Sequence, residues 1–204
     1  RVSHEPRTPL AQIMMFAQTL MLGRVRSDNE RLRAIKVIDK EAQRLSHLVD
    51  NVLNFSRVER GSQEVQISAQ PLFPLVREIT DQFRDLMNEG DLILHSQIKE
   101  DARVMLDPDA FRQMFVNILD NAVKYSPSGQ NVDILLKENG DRIDVSVEDR
   151  GIGVPTSEKQ RIWEPYYRTP DIKKQAIGGT GIGLAVVQEL ARLQTARVSV
   201  SDRD

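Results

Sequence analysis

Apolar residues between positions 10 and 56 recur at alternating spacings of three and four, a pattern typical of helices that pack along a common seam. Gly23 fits the end of one helix, and Ser27 followed by Glu30 fits the capping box that begins another. The pattern therefore predicts two helices joined by a short loop. The seam positions are Leu10, Ile13, Ala17 and Leu20 in the first helix and Ile35, Ile38, Ala42, Leu45, Val49, Val52 and Ser56 in the second.

A long helix with an apolar stripe needs a partner that covers the stripe. Two such hairpins, one from each of two copies of the chain, would form a four-helix bundle. The alternative is a hairpin that packs on the rest of its own chain. Because the seam persists over about four heptads, the sequence favours a homodimer through residues 1–60.

The heptad pattern ends around Arg60-Gly61-Ser62, which divides the chain into domains of residues 1–60 and 61–204. In the second domain, Asp107-Pro108 is typical of a helix start, and Asn139-Gly140 between two strand patterns is typical of a hairpin. The predicted fold class is α+β, in which the helical hairpin precedes a two-layer α/β sandwich with a mostly antiparallel sheet. The expected strands are 64–68, 92–98, 103–107, the two beside Asn139-Gly140, and 196–201; the expected helices are 72–88, 108–125 and one from about Thr180.

Composition excludes several classes of function. The formal net charge is -2 and the pI about 6.0, so no basic surface for nucleic acid is expected. No apolar run approaches the ~20 residues of a membrane span, so this segment is not expected to contact a membrane. The absence of cysteine excludes disulfides and thiolate chemistry. The abrupt start inside an apparent helix suggests a piece of a longer protein.

Two asparagines one helical turn apart mark the helix predicted after Asp107. Asn117 and Asn121 project from one face, and carboxamide oxygens suit Mg²⁺ that keeps waters and bridges phosphates. Lys124 follows one turn later and could meet a phosphate, while Tyr125 offers a flat face for a base. The competing interpretation is a solvated polar stripe, which each residue taken alone would fit.

Two glycine-rich turns follow. Asp149 precedes Gly151 and Gly153, so a carboxylate that can accept from an exocyclic amine stands beside backbone that a ring can approach closely. Many ordinary turns share this short pattern. The second turn, GGTGIGL at 178–184, runs into an apolar helix, whose N-terminal N–H groups would suit a phosphate. It is neither a Walker loop nor a Rossmann fingerprint. Arg168, Lys173 and Lys174 precede it and suit a lid over a phosphate tail, although an ordinary surface loop fits the lysines better.

His4 lies just off the first apolar seam, so its imidazole is expected on the outer surface of a bundle. Glu5 is adjacent to it, and Thr8 lies one turn further on the same face. At neutral pH an unperturbed imidazole, with a pKa near ~6.5, is largely a free nucleophile.

Five segments in one order resemble the catalytic core of the sensor histidine kinases of two-component signalling. They are SHEPRTPL (3–10), NILDNAVKYSP (117–127), EDRGIGVP (148–155), IWEPYYR (162–168) and GGTGIGL (178–184). The last four resemble the boxes of the ATPase fold shared with gyrase and heat-shock chaperones. The resemblance covers nearly the whole chain. It implies ATP and Mg²⁺ as cofactors, autophosphorylation on a histidine, and transfer to an aspartate of a response regulator receiver domain. It also implies a cytoplasmic core, with the full-length protein often anchored in the inner membrane.

The resemblance assigns roles to particular residues. His4 would be the phospho-acceptor, Glu5 would accept its proton, and Thr8 would orient a water when the partner is dephosphorylated. Asn121, supported by Asn117, would hold Mg²⁺. The implied nucleotide-binding set is Asn117, Asn121, Lys124 and Arg168 at the phosphates, Tyr125 and Asp149 at the base, and Gly151, Gly153, Gly179, Thr180, Gly181, Gly183 and Leu184 around the pocket.

The chain departs from the family pattern in two places that bear on function. Pro6 stands where leucine is usual, which brings the geometry of the kinase reaction into question, and Gln194-Thr195-Ala196 replaces a usual His-Gly-Gly turn. Two other functions therefore stay open. One is a core that acts mainly as a phosphatase through Thr8, and the other is a non-catalytic dimeric scaffold.

Overall fold

The computed structural model describes residues 7–61, 64–84, 91–170, 172 and 179–203. The chain divides into two compact units, residues 1–61 with 178–180 and residues 62–177 with 181–204. Secondary structure in chain order consists of helix α1 (Arg7–Met21), helix α2 (Asp28–Glu59), strand β1 (Ser68–Pro71), helix α3 (Leu72–Arg84), strand β2 (Leu92–Ser96), strand β3 (Arg103–Leu106), helix α4 (Pro108–Tyr125), strand β4 (Val132–Asn139), strand β5 (Arg142–Glu148), a 3-10 helix (Arg161–Trp163) and helix α5 (Gly183–Leu193).

The first unit is the predicted helical hairpin, in which α1 and α2 pack against each other. Gly23 has a φ of 61° and donates its N–H to the carbonyl of Leu20, which ends α1. The Ser27 hydroxyl accepts the N–H of Glu30 at 3.2 Å, and the Glu30 carboxylate accepts the N–H of Arg26 at 2.7 Å. The cap signal in the sequence therefore works as predicted, with the return bond shifted by one residue.

The hairpin leaves its apolar stripe open in the single chain. Leu10, Ile35 and Val49 remain 46%, 48% and 46% exposed. Single exposed apolar residues are normal on a protein surface, but several along one hairpin indicate a surface that contacts a partner. Further exposed apolar residues of the hairpin are Met14, Met15, Met21, Leu22, Leu32 and Leu53.

The second unit packs helices on a mixed sheet. Strand β4 lies at the centre of a three-stranded sheet, parallel to β2 and antiparallel to β5. Strands β1 and β3 form a separate antiparallel pair. The core between helices and sheet includes Leu72, Val76, Ile79, Leu92, Phe115, Leu119, Val132, Ile134 and Leu136, which are at most 2% exposed. Each such side chain contributes roughly 1.5–3 kcal/mol through burial. The α+β class, a helical region followed by an α/β domain, is confirmed.

Antiparallel pairing predominates among the described strands, as predicted, since β1 with β3 and β4 with β5 are antiparallel. The pairing of β2 with β4 is parallel, because the connection between them contains β3 and α4 and returns the chain in the same direction.

Several predicted boundaries are wrong. The strand expected at 64–68 begins only at Ser68, where pairing with Leu106 starts, and the last helix begins at Gly183 rather than Thr180. The helix expected over 72–88 is described only as far as Arg84.

The strand expected at 196–201 is also wrong. Residues 196–203 form no strand, although Val198 and Val200 are half-buried and their neighbours exposed. Ion pairs rather than a backbone ladder hold this segment. Lys159 binds Asp202 at 2.8 Å, and Arg203 binds Asp133 at 3.1 Å. Alternating burial alone is therefore not sufficient for a strand. Among the residues described, no helix combines the length and hydropathy needed to cross a membrane.

Candidate functional site

Helix α4 begins at a fully formed cap. One carboxylate oxygen of Asp107 accepts the N–H groups of Asp109 and Ala110, both at 2.9 Å, and its other oxygen accepts the N–H of Gln66 at 2.6 Å. Pro108 at the first helical position has no N–H that would need a partner. The cap sets the position of the helix that carries Asn117 and Asn121.

The two asparagines differ in exposure. Asn117 is buried at 3% exposure, whereas Asn121 one turn later is half-buried. A Cβ added to Gly183 would lie 3.5 Å from the Asn117 side-chain oxygen, so the start of α5 lies in close contact with that amide. Asn117 is thus not part of a solvated stripe. It packs where α4 meets the N-terminus of α5, and Asn121 is the more accessible of the two.

The first glycine turn packs on the C-terminal end of α4. The Gly151 N–H donates to Asp149 Oδ1 at 2.7 Å, and the Arg150 N–H donates to the Ser126 hydroxyl at 3.3 Å. A Cβ on Gly151 would lie 2.7 Å from both Asp149 Oδ1 and the carbonyl oxygen of Tyr125. These separations are too short for any side chain, so this turn brings Asp149 and Tyr125 together only with glycine at 151.

The aromatic segment and the second glycine turn form one structural unit. The Tyr166 N–H donates to the carbonyl of Gly181 at 2.8 Å, and a Cβ on Gly181 would lie 2.9 Å from backbone atoms of Tyr166 and Tyr167. Tyr166 and Gly181 both have positive φ, 63° and 71°. The Arg161 guanidinium lies 4.2 Å from the centroid of the Tyr167 ring, whose hydroxyl donates to Glu158. Backbone contact therefore holds Gly181, two residues before the start of α5, against the aromatic segment.

Helix α5 begins without a side-chain cap. Its N-cap residue is Ile182, which has no polar side chain. The N–H groups of the first turn, at Gly183, Leu184 and Ala185, have no partner within the helix, and the helix dipole adds positive potential there. A helix N-terminus of this kind, beside the amide of Asn117, suits an anionic group.

The donor set fits a nucleotide and its metal. Asp149 and Tyr125 lie at one glycine turn, and the uncapped start of α5 lies beside Asn117. In the part of the chain that the structure describes, no three His, Cys, Asp or Glu residues are close enough to hold a metal ion by themselves. An amide oxygen such as that of Asn121 would share Mg²⁺ with phosphates and waters, which is the usual mode for this ion. Lys124 contributes positive charge here, with its ammonium 5.5 Å from the Tyr125 ring centroid.

The remaining predicted residues are distributed as follows. Thr8 lies exposed in the first turn of α1, and Arg168, Thr180 and Gly179 are half-buried. His4, Glu5, Pro6, Lys173 and Lys174 lie outside the described residues. Two residues that contact the glycine turns were not predicted from the sequence. Ser126 accepts the N–H of Arg150 in the first turn, and Tyr166, at positive φ, donates its N–H to Gly181 in the second. Neither residue carries a local signal, because each acts through a backbone contact with a distant segment.

Two family models match the chain. The His Kinase A (phospho-acceptor) domain matches residues 1–61, and the histidine kinase-, DNA gyrase B- and HSP90-like ATPase matches residues 106–204. The two models thus assign an ATPase domain of this class and a helical phospho-acceptor domain. The chain belongs to the sensor histidine kinases of two-component systems and corresponds to their catalytic core.

Individual proteins agree with that assignment. The alginate biosynthesis sensor protein KinB of Pseudomonas aeruginosa is 31% identical over 98% of this chain and 33% of its own length. The structure of full-length ShkA in complex with AMPPNP aligns with a TM-score of 0.64 at 25% identity, covering 98% of this chain and 42% of that one. Histidine kinase ThkA in complex with the response regulator TrrA has a TM-score of 0.63 at 23% identity, covering 100% and 57%. The chain spans about a third to a half of the length of the first curated relatives it matches.

Proposed function

We propose that this chain is the catalytic core of an ATP-dependent protein-histidine kinase that phosphorylates His4 and passes the phosphate to an aspartate of a response regulator. The observation that carries the proposal is the turn at Gly151. Its N–H donates to Asp149, and a Cβ at this position would lie 2.7 Å from both Asp149 Oδ1 and the carbonyl oxygen of Tyr125. This arrangement offers a carboxylate and side-chain-free backbone to one edge of a planar base.

Each part of ATP has a matching group. The adenine amine would donate to Asp149, and the Tyr125 ring would line the base pocket. The phosphates would meet the first turn of α5, with Gly179, Thr180, Gly181, Gly183 and Leu184 around them and Lys124 and Arg168 supplying positive charge. Asn121, supported by the buried Asn117, would hold Mg²⁺. The ion would neutralise phosphate charge, which is the main requirement of phosphoryl transfer.

The reaction then needs an aligned acceptor. A neutral imidazole nitrogen of His4 would attack the γ-phosphorus, and the bond from that phosphorus to the bridging oxygen would break, releasing ADP. Glu5 would accept the proton that the imidazole loses. Because His4 and the nucleotide belong to separate domains, the segment around residues 60–63 must let one domain reach the other.

Partners follow from the first domain. The exposed stripe with Leu10, Ile35 and Val49 supports a homodimer through residues 1–60, in which two hairpins bury their seams in a four-helix bundle. The complex of ThkA with TrrA supports a receiver domain as the second partner. The end of α2 at Glu59 supports a domain boundary between residues 60 and 61.

A second function has its own observation. Thr8 lies exposed in the first turn of α1, where its hydroxyl could orient a water toward a phosphoaspartate. If Pro6 disturbs the acceptor histidine, phosphatase activity toward the response regulator would remain.

The test is incubation of the whole chain with Mg²⁺ and γ-labelled ATP. Acid-labile, base-stable label is expected in the wild type and in the matched controls His47→Gln and His95→Gln, and its loss is expected in His4→Gln. Asn121→Ala should lose Mg²⁺-dependent nucleotide binding as well. Label in Pro6→Leu but not in the wild type would restrict this chain to the phosphatase function. Nucleotide binding with no label in any of these variants would refute the kinase.

A further inference from the structure

On β4, the buried carboxylate of Asp133 is bound by two arginines and one histidine. Asp133 is 8% exposed. Its Oδ1 lies 3.2 Å from His95 Nε2, and its Oδ2 accepts from Arg150 at 3.0 Å and from Arg203 at 3.1 Å. The three partners come from β2, from the turn after β5 and from the end of the chain. None of the roles described above uses Asp133.

One of these partners belongs to the nucleotide turn. Arg150 stands directly between Asp149 and Gly151 and is held at three points. Its N–H donates to the Ser126 hydroxyl, and its guanidinium donates to Asp133 and to the carbonyl of Asn131. The turn is thereby bound both to the C-terminal end of α4 and to the start of β4.

The turn depends on such outside contacts. Gly151 and Gly153 give its backbone more conformational freedom than other residues would. Gly153 has a φ of 69° and open space where a side chain would be, so it adds no packing. Strand β5 ends at Glu148, directly before the turn. The Arg150 side chain adds a second connection between this turn and the sheet, with Asp133 as its charged partner.

We propose that Asp133 is a positioning residue for base recognition, which acts through Arg150 to hold the Asp149 carboxylate where it meets the adenine amine. The inference rests on the proposed function, since it assumes that Asp149 reads the base. A carboxylate accepts from the amine of adenine, whereas guanine presents a carbonyl at the same ring position. Displacement of Asp149 should therefore affect ATP binding much more than GTP binding.

The cluster supplies its own controls. Asp133→Asn keeps the shape and removes the charge, and Arg150→Gln removes the link itself. His95→Gln and Arg203→Gln each remove a partner of Asp133 that has no contact with the turn among those described. A role in stability alone would make all four variants similar, whereas a positioning role separates the first two from the last two.

The experiment measures dissociation constants for ATP and GTP with the whole chain and Mg²⁺. In Asp133→Asn and Arg150→Gln the preference for ATP over GTP should fall by about tenfold, the order of one charged hydrogen bond. His95→Gln and Arg203→Gln should keep the wild-type preference within about twofold. The double variant Asp133→Asn/Arg150→Gln should be no worse than either single variant, since both break one link.

The outcomes distinguish a failure of this inference from a failure of the proposed function. If the wild type prefers ATP and Asp149→Asn loses the preference, but Asp133→Asn and Arg150→Gln retain it, this inference is refuted and the proposed function stands. If the wild type shows no preference for ATP, both are refuted. Should Asp133→Asn fail to fold, Arg150→Gln decides alone, because its side chain is 36% exposed and its replacement leaves no cavity in the core.

Discussion

Replacement of Gly181 by alanine tests whether backbone contact really joins the aromatic segment to the second glycine turn. The new Cβ would lie 2.9 Å from the carbonyl carbon of Tyr166 and from the carbonyl oxygen of Tyr167. Both are backbone atoms, so no side-chain rotation can relieve the contact. The hydrogen bond from the Tyr166 N–H to Gly181, 2.8 Å long, would be disturbed by the same shift.

The expected loss of folding stability has two contributions, and a matched variant separates them. Gly181 and Gly140 have nearly equal φ, 71° and 66°, but nothing lies within 4 Å of a Cβ at Gly140. An alanine at positive φ costs about 1–2 kcal/mol, of which the stiffer unfolded chain returns about 0.4–1 kcal/mol. Gly140→Ala should therefore lose roughly 1 kcal/mol. Overpacking adds about 1–3 kcal/mol, so Gly181→Ala should lose roughly 2–4 kcal/mol.

The assay uses the single tryptophan of the chain. Trp163 lies in the 3-10 helix of the α/β domain, so its fluorescence during urea unfolding follows this domain alone. ATP affinity measured on the same samples should fall for Gly181→Ala and stay unchanged for Gly140→Ala. Equal losses of stability in the two variants would refute the steric contact and leave only the common cost of positive φ.

Three further predictions are tested by the fluorescence of Trp163 or by sedimentation. Burial by itself raises the pKa of Asp133, but the hydrogen bond from His95 and the charge of Arg150 outweigh it and lower the pKa below its ordinary value of ~3.9. The stability that Asp133 adds relative to Asp133→Asn should therefore be present at neutral pH and shrink as the pH falls below about 4; a difference that grows between about pH 4 and pH 2 would contradict this. Asp107→Ala should cost about 1–2 kcal/mol of α/β-domain stability through loss of the α4 cap, and Asp107→Asn, which keeps one acceptor oxygen, should cost less. Ile35→Glu with Val49→Glu should convert the expected dimer to monomer in sedimentation, while Met105→Glu, a 65% exposed apolar position in the other unit, should leave it intact.

The parts of the fold that were predicted correctly are those with local signals. The helical hairpin follows from heptad spacing and from the Ser27 and Glu30 cap, and α4 follows from Asp107-Pro108. The β4–β5 hairpin follows from Asn139-Gly140, with Asn139 paired to Arg142 across the turn. Each signal is contained within a few neighbouring residues, because caps and turns act over that distance.

The order of the motifs also identified the family, since the residue types that bind a nucleotide lie within short segments. The roles of His4, Glu5 and Thr8, the Mg²⁺ site at Asn121 and the dimer remain predictions. The burial of Asn117 at 3% could not be read from its spacing, because it depends on how α5 begins beside α4.

By itself, then, the sequence determined the helical hairpin, the capped helix α4, the order of the nucleotide motifs and the family. Only the tertiary structure decided that β2 runs parallel to β4, that residues 196–203 form no strand, and that Asp133 meets His95, Arg150 and Arg203. The physical reason is range. Periodicity and capping depend on residues that are close together in the sequence. Strand direction and a buried ion cluster depend instead on which distant segments the core brings together.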